Sequence, residues 1–315
     1  MLNLSFPESI TFVRVRIIFE ALEPIVLPVY KGSAFRGCFG ETFRNDVCTH
    51  RRLLCENCGE RFECPFSQLF NSYVQEGHPH HRKYSKSPHP YTIDPIPDEK
   101  TEFAPGETFG FDLTLIGESI QLLPQIPKVF IRMGDIGIGK ERGRFKPLTL
   151  QSLSAKMEYG TLPYFGQPAV LSIDKIDVQP AKNRISLHLD NPLRLRENGN
   201  LLHTPPEFGF FVGRLAQRIA LLAHFHCGAP WPEPELKALT GPNGIRIAEA
   251  NVQMADWRRY SGTQDTTMNF DGLTGQITYE GEGLNDWMPL LTLGSFLHAG
   301  STATFGLGKY SILNE

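Results

Sequence analysis

From Thr11 to Ala21 β-branched and aromatic residues alternate with arginines, the period-two pattern of a half-buried strand, and Pro24 and Pro28 stop it shortly afterwards. The period then changes. Ser33 to Val47 places Ala34, Phe35, Cys38, Phe39 and Phe43 on one helical face, with Ser33 as the expected N-cap. Phe109 to Leu115 predicts a strand, Gln121 to Met133 a proline-interrupted helix, and Thr149 to Met157 a segment that closes a first domain. Gly160, Pro163, Gly166 and Pro168 crowd Tyr159 to Ala169 and mark a linker. Beyond it, Arg184 to Leu189 reads as a strand. Pro206 to His226 reads as a helix carrying Phe210, Phe211, Leu215, Ile219 and Leu222 at helical intervals. Gly244 to Trp257 is extended, Thr267 to Tyr279 a strand, Asp286 to His298 a short helix, and Thr302 to Ile312 the last strand.

The second half therefore runs β-α-β-β-α-β, the split unit of a ferredoxin-like domain, with helices on one face of the sheet and the other face free for a partner. The first half has a similar, more decorated order. The expected fold class is α+β, two tandem ferredoxin-like domains over residues 1–160 and 170–315, the first interrupted by a cysteine-rich insertion at about residues 48–100. A length of 315 residues fits two domains of roughly 150 residues each.

Composition narrows the function classes. Hydrophobic residues at 41% suffice for ordinary cores. No apolar run approaches the roughly 20 residues that span a bilayer, and Met1 to Glu8 has no signal pattern, so a cytoplasmic protein without a membrane partner is expected. A formal charge of -3 and a pI of 6.4 argue against indiscriminate binding of a long polyanion. Any RNA contact must come from local patches. Lys140, Arg142, Arg144 and Lys146 stand against Glu141 alone, with Phe145 among them, and form either such a patch or a solvated charged turn. Trp257, Arg258, Arg259 and Tyr260 combine stacking and cationic groups that suit single-stranded RNA, although core packing would use the same aromatics.

Two further motifs carry chemistry. The stretch from Leu293 to Ile312 sets Gly294, Gly300, Gly306 and Gly308 between an apolar helix and the final strand, with Lys309 alongside. Glycines permit positive φ and leave no Cβ, so successive amides can face a phosphate; tight packing of loop on sheet needs the same residues. Cys48, Cys55, Cys58 and Cys64 have the spacing C-x6-C-x2-C-x5-C, which four thiolates of a structural zinc site can have. An iron-sulfur cluster, which Cys64-Pro65 would suit, and a set of inert, partly buried thiols are the other readings. Cys38 and Cys227 read as simple buried residues. His78, His80, His81 and His89 lie among Arg82, Lys83, Lys86 and prolines and read first as a surface loop.

Taken in order, Asp256-Trp257-Arg258-Arg259-Tyr260-Ser261, Phe270-Asp271-Gly272-Leu273-Thr274-Gly275 and Leu290 through the glycine loop resemble the C-terminal part of the Cas-six family, RAMP endoribonucleases that process CRISPR precursor RNA. Gly32 to Gly40 is similar to the family's entry to its first helix, and Ile136 to Phe145 to its glycine-and-arginine segment. Cysteine insertions also occur in some bacterial relatives of that family.

The resemblance implies an endoribonuclease that needs no metal or other cofactor for catalysis. In such an enzyme the RNA 2′-hydroxyl attacks the adjacent phosphorus, leaving a 5′-hydroxyl and a 2′,3′-cyclic phosphate, and histidine, tyrosine and a cation supply the proton transfers and charge balance. It further implies CRISPR repeat RNA or mature crRNA as partner, with other Cas proteins. Tyr30 stands just before the first helix, where the family expects a tyrosine. The helix itself reads Gly40-Glu41-Thr42-Phe43-Arg44, with none of the histidine that relatives often carry there. His298, whose loop should reach the cleft between domains, is the expected substitute, ahead of His50, with Lys309 offsetting charge. Ser301 stands where relatives often have lysine. Arg36, Lys140, Arg142, Arg144, Arg258, Arg259, Tyr260, Gly300, Gly306 and Gly308 are the expected RNA contacts. A non-catalytic RAMP subunit that holds crRNA in an effector complex is the alternative, and a zinc-stabilised RNA-binding module unrelated to CRISPR is a third.

Overall fold

A computed structural model describes residues 5–163, 166–232, 244–255, 258–261 and 266–313, and the side chains of all these except 258–261 and 266–269. It divides into two compact units: an N-terminal unit of Thr11–Leu171 and Phe225–Cys227, and a C-terminal unit of Met1–Ile10, Ser172–His224 and Gly228–Glu315.

In the N-terminal unit, β1 (Phe12–Ala21) leads to α1 (Gly32–Val47), a short α2 (Pro65–Phe70), β2 (Tyr91–Pro95), β3 (Thr108–Ile116), α3 (Ile126–Ile136), β4 (Phe145–Leu153) and β5 (Tyr159–Thr161). The strands form one antiparallel sheet in the order β2-β3-β1-β4-β5. Val13, Val15, Ile17 and Phe19 alternate toward the helices and meet Phe35, Phe39 and Phe43 of α1 and Val129, Phe130 and Met133 of α3 in one core. Phe19 has four phenyl neighbours with centroids 4.9 to 5.9 Å away. Gly40 lets α2 approach α1, since a Cβ there would lie 2.9 Å from the Phe70 ring.

Three expectations change here. Helix α1 starts at Gly32, with Lys31 at its N-cap and Ser33 buried inside its first turn. The helix expected over Gln121 to Met133 is a 3-10 turn, Gly117–Gln125, followed by α3, because Pro124 and Pro127 withhold the amides a continuous helix would need. Tyr159–Thr161, expected in a linker, adds β5 to the sheet edge.

In the C-terminal unit, β6 (Arg184–Leu193) leads to α4 (Phe208–Cys227), β7 (Arg246–Ala255), a hairpin of β8 (Arg258–Ser261) and β9 (Thr266–Asn269), β10 (Gly272–Glu280), α5 (Met288–Leu297) and β11 (Ser311–Leu313). The sheet order is β7-β10-β6-β11, and every pairing is antiparallel. The single strand expected over Thr267 to Tyr279 is interrupted at Phe270–Asp271, and the strand expected from Thr302 starts only at Ser311. Numbering each unit's β-α-β-β-α-β strands one to four, both sheets run 2-3-1-4, so each unit is a ferredoxin-like domain. Among the described residues no helix is long and apolar enough to cross a membrane.

Candidate functional site

The glycine loop begins where α5 ends. Arg218 of α4 donates from Nε and Nη2 to the Leu297 carbonyl, at 3.2 and 3.0 Å, and from Nε to the His298 carbonyl at 3.1 Å. Burial lowers this guanidinium to about 10, and the negative end of the α5 dipole is where a cation is favoured. His298 follows in a left-handed conformation, φ 66°, with its ring fully enclosed and Nδ1 3.1 Å from the Leu307 carbonyl. A carbonyl accepts, so Nδ1 carries a proton in this contact.

From there the loop folds back on the end of β6. Ala299 N–H donates to Gly308 O at 2.9 Å, Ser301 N–H to Arg194 O at 3.1 Å, Gly306 N–H to Ala303 O at 2.9 Å and Gly308 N–H to Pro192 O at 3.0 Å. Asn191 Nδ2 holds Gly306 O at 2.8 Å. A Cβ on Gly308 would lie 1.8 Å from Ala299 O, and one on Gly300 2.4 Å from Arg194 O. Close backbone packing is therefore what demands these glycines. Two expectations are corrected by this geometry. Gly306 and Gly308 are buried, with their amides spent inside the protein, and the His298 ring faces the loop interior. Gly300, Ser301, Thr302 and Lys309 are what the loop leaves at least partly exposed.

In the N-terminal unit, Tyr30 is half-buried before α1. Burial, with Asp94 adding to it, pushes the phenol well above its ordinary value, so Tyr30 stays protonated and can donate a hydrogen bond. The Arg36 guanidinium lies 5.3 Å from the Phe70 ring centroid.

The basic segment after α3 is less bare than its sequence suggests. Arg142 pairs with Glu41 at 3.1 Å, Arg144 with Glu23 at 2.8 Å and Lys146 with Glu20 at 3.1 Å, while Lys140 is exposed. The Arg144 backbone and side chain hold the Glu23 carboxyl below its usual range. These pairs are exposed and weak, so a phosphate can compete for the cations. The side chains of Arg258, Arg259 and Tyr260, and all of Trp257, lie outside the described residues.

The structure also shows a charged group that no sequence pattern indicated. On the helix-free face of the N-terminal sheet, the Arg14 guanidinium donates to Asp94 Oδ2 at 2.5 Å, Asp112 Oδ2 at 3.0 Å and Thr114 Oγ1 at 2.9 Å. Tyr159 donates to Asp112 Oδ2 at 2.7 Å, and its ring centroid stands 3.9 Å from the Arg16 guanidinium. Arg14, Asp94 and Asp112 are 4%, 1% and 2% exposed, so β1, expected to be half-buried, is covered on this face too. Burial alone would raise Asp112, but Arg14, Arg16 and Tyr159 outweigh it and hold the carboxyl below its ordinary range.

Of the cysteines, Cys48 caps the C-terminus of α1, Cys64 caps the N-terminus of α2, and the Cys58 N–H turns back to the Cys55 carbonyl at 3.2 Å. Burial raises the Cys55 thiol, Arg44 opposes that, and Cys48 and Cys64 are close enough to raise it further. Among the described residues no group of three or more His, Cys, Asp or Glu is arranged to hold a metal ion. His50 pairs with Glu60 at 3.3 Å beside these cysteines.

Residues 187–310, from β6 through the glycine loop, match the family model for CRISPR-associated endoribonuclease Cas6, and residues 10–166 match one described as an N-terminal domain. The chain is 21% identical to an uncharacterized protein of Archaeoglobus fulgidus, over 98% of this chain and 99% of that one. It superposes on the product complex of Cas6 (TTHB231), a Thermus thermophilus protein, with TM-score 0.59 at 15% identity, over 96% of this chain and 99% of that chain. A partial Cas6-RT-Cas1–Cas2 complex gives TM-score 0.61 at 10% identity, over 98% of this chain and 47% of that chain. At such identities the structural likeness concerns the fold.

Proposed function

We propose that the chain is a member of the family of the CRISPR-associated endoribonuclease Cas6, whose model its residues 187–310 match, and that it cuts CRISPR repeat RNA to release mature crRNA, without a metal ion in catalysis. The observation that carries the reading is the family match across the β6 strand and the glycine loop, where Gly300 and Gly308 bring backbone against backbone. The products are a 5′-hydroxyl and a 2′,3′-cyclic phosphate. Tyr30, held protonated, donates a hydrogen bond to the phosphate, Lys309 offsets the charge that develops, and His298 keeps the loop in shape from inside. Arg36, Lys140, Arg142, Arg144, Arg258, Arg259 and Tyr260 hold the RNA strand, with the outward edge of the loop at Gly300. The work is cytoplasmic and serves antiviral defence, and a relative's assembly with RT, Cas1 and Cas2 supports other Cas proteins as partners.

Cys48, Cys55, Cys58 and Cys64 close on one structural zinc that draws the four thiols together and pins the segment between α1 and α2, where Cys58 is the one buried residue from Cys48 to Cys64. Purified chain should carry about one zinc by elemental analysis; iron with acid-labile sulfide, or no metal, overturns this assignment.

The decisive experiment incubates the protein with labelled repeat RNA in EDTA beside RNA lacking the 2′-hydroxyl at the cut site. One cut, absent in the control and ending in a cyclic phosphate, is the expected result. Tight binding without a cut would support the alternative, a guide-holding subunit, which the absence of histidine from α1 and the enclosure of His298 favour.

A further inference from the structure

The helix-free face of the C-terminal sheet carries one row of polar residues across all four strands: Asn251 on β7, Gln276 on β10, His188 on β6 and Ser311 on β11 are register partners. Alternation explains the row. Ile185, Leu187 and Leu189 of β6 are buried among the core residues, so His188 and Asp190 must point the other way.

Within this row His188 is set up differently from a solvated histidine. Its Nδ1 is 3.1 Å from Asp190 Oδ1, and the Ser311 hydroxyl donates to Asp190 Oδ2 at 2.7 Å. The carboxylate is three-quarters buried, whereas the imidazole is 51% exposed. A carboxylate accepts, so in the neutral ring the proton sits on Nδ1 and the lone pair on Nε2. This is the order of a general base with its orienting acid and an anchor for that acid. A short stretch of backbone joins the row to the loop, because Asn191 N–H bonds the Lys309 carbonyl at 3.3 Å and Lys309 enters β11 two residues before Ser311.

We propose that His188 is a catalytic residue, the proton acceptor for RNA bound on this sheet face, with Asp190 and Ser311 as its positioning residues. The inference rests on the endoribonuclease reading above and names the base that α1 lacks. Nε2 takes the proton of the 2′-hydroxyl as the 2′-oxygen forms its bond to phosphorus and the bond from phosphorus to the 5′-oxygen breaks. The 5′-oxygen takes a proton from water, and the hydroxide left behind is neutralised when the imidazolium returns its proton. The groups bordering His188 are Asp190 along its own strand, Gln276 from β10 and Ser311 from β11. Further along the face, Arg184, Glu249 and Glu280 pair among themselves at 3.4 to 3.8 Å.

The test is single-turnover cleavage of labelled repeat RNA by the full chain and its His188→Ala, Asp190→Asn and Ser311→Ala variants, with binding affinity and melting temperature measured alongside. General-base loss predicts a rate lower by about 10²- to 10⁴-fold for His188→Ala, with affinity changed less than about threefold, and partial rescue by added imidazole. Asp190 holds the ring through Nδ1, so Asp190→Asn should slow the reaction without loss of affinity, and Asp190→Glu should restore part of the rate. Cleavage by His188→Ala at the rate of the unaltered protein overturns the proposal and leaves the endoribonuclease reading standing. Affinity lost in proportion to rate also overturns it, making His188 a binding contact. Failure of the unaltered protein to cut overturns both.

Discussion

The two units share a strand order, yet their helix-free faces differ. On the N-terminal sheet Arg14, Asp94 and Asp112 are almost completely buried, and their charges are satisfied by one another and by Tyr159. On the C-terminal sheet the polar row of Asn251, Gln276, His188 and Ser311 includes an imidazole left half in solvent. Topology places a polar face in both units. What that face does follows from whether opposite charges lie within reach: where they do, it closes on itself, and where a carboxylate takes one ring nitrogen of a half-exposed histidine, the other is turned to a ligand.

The sharpest way to break this contrast is Arg14→Ala, which takes the arginine from buried Asp94 and leaves Asp112, facing it across β2 and β3, to Arg16 and Tyr159. A loss of about 3–5 kcal/mol in urea unfolding is expected. The pH dependence has a definite sign. Asp112 titrates below its unfolded value, so the network's contribution is complete above about pH 4 and is lost as the pH falls through the depressed value. Arg14→Ala should flatten that acid limb, and an unchanged acid limb would show that other carboxylates carry it.

A smaller effect belongs to the glycine loop. Gly308→Ala puts a Cβ into the Ala299 carbonyl at a φ of 73°, and about 3 kcal/mol of destabilisation is expected by the same measurement. Smaller again is Tyr310→Phe, which removes a buried hydroxyl from the Leu291 carbonyl, 2.6 Å away, at a cost of about 1–2 kcal/mol. The smallest effect on stability is Glu41→Gln, which releases Arg142 and should leave the melting temperature unchanged. If Arg142 meets RNA, affinity for repeat RNA should rise about twofold and its salt dependence should steepen, read by filter binding across a salt series.

Much of the architecture was legible in the chain. The phenylalanines at four-residue spacing in α1 and the alternation in β1 fixed those elements to within a residue, because local period and burial coincide there. The site was less legible. The glycines of the loop were visible, but whether their amides face a phosphate or their own backbone depends on how the loop lands on Pro192 and Arg194, about a hundred positions earlier. The same holds for His298, which reads as an exposed loop histidine until α4 and Leu307 are seen around it.

The sequence by itself determined the β-α-β-β-α-β run of the second half, the first strand and helix of the first half, a cysteine-rich stretch after that helix and a glycine-rich return to the last strand, since these follow from local period, spacing and backbone freedom; the strand Tyr91–Pro95, inside the expected insertion, it did not show. The tertiary structure alone decided which charged residues neutralise each other and which histidine keeps a nitrogen outward. Arg14 meets Asp94 and Asp112 from 80 and 98 positions away, and Ser311 steadies Asp190 from 121 away, so no local pattern carries those contacts. Electrostatic partnership acts through space and is set by strand register.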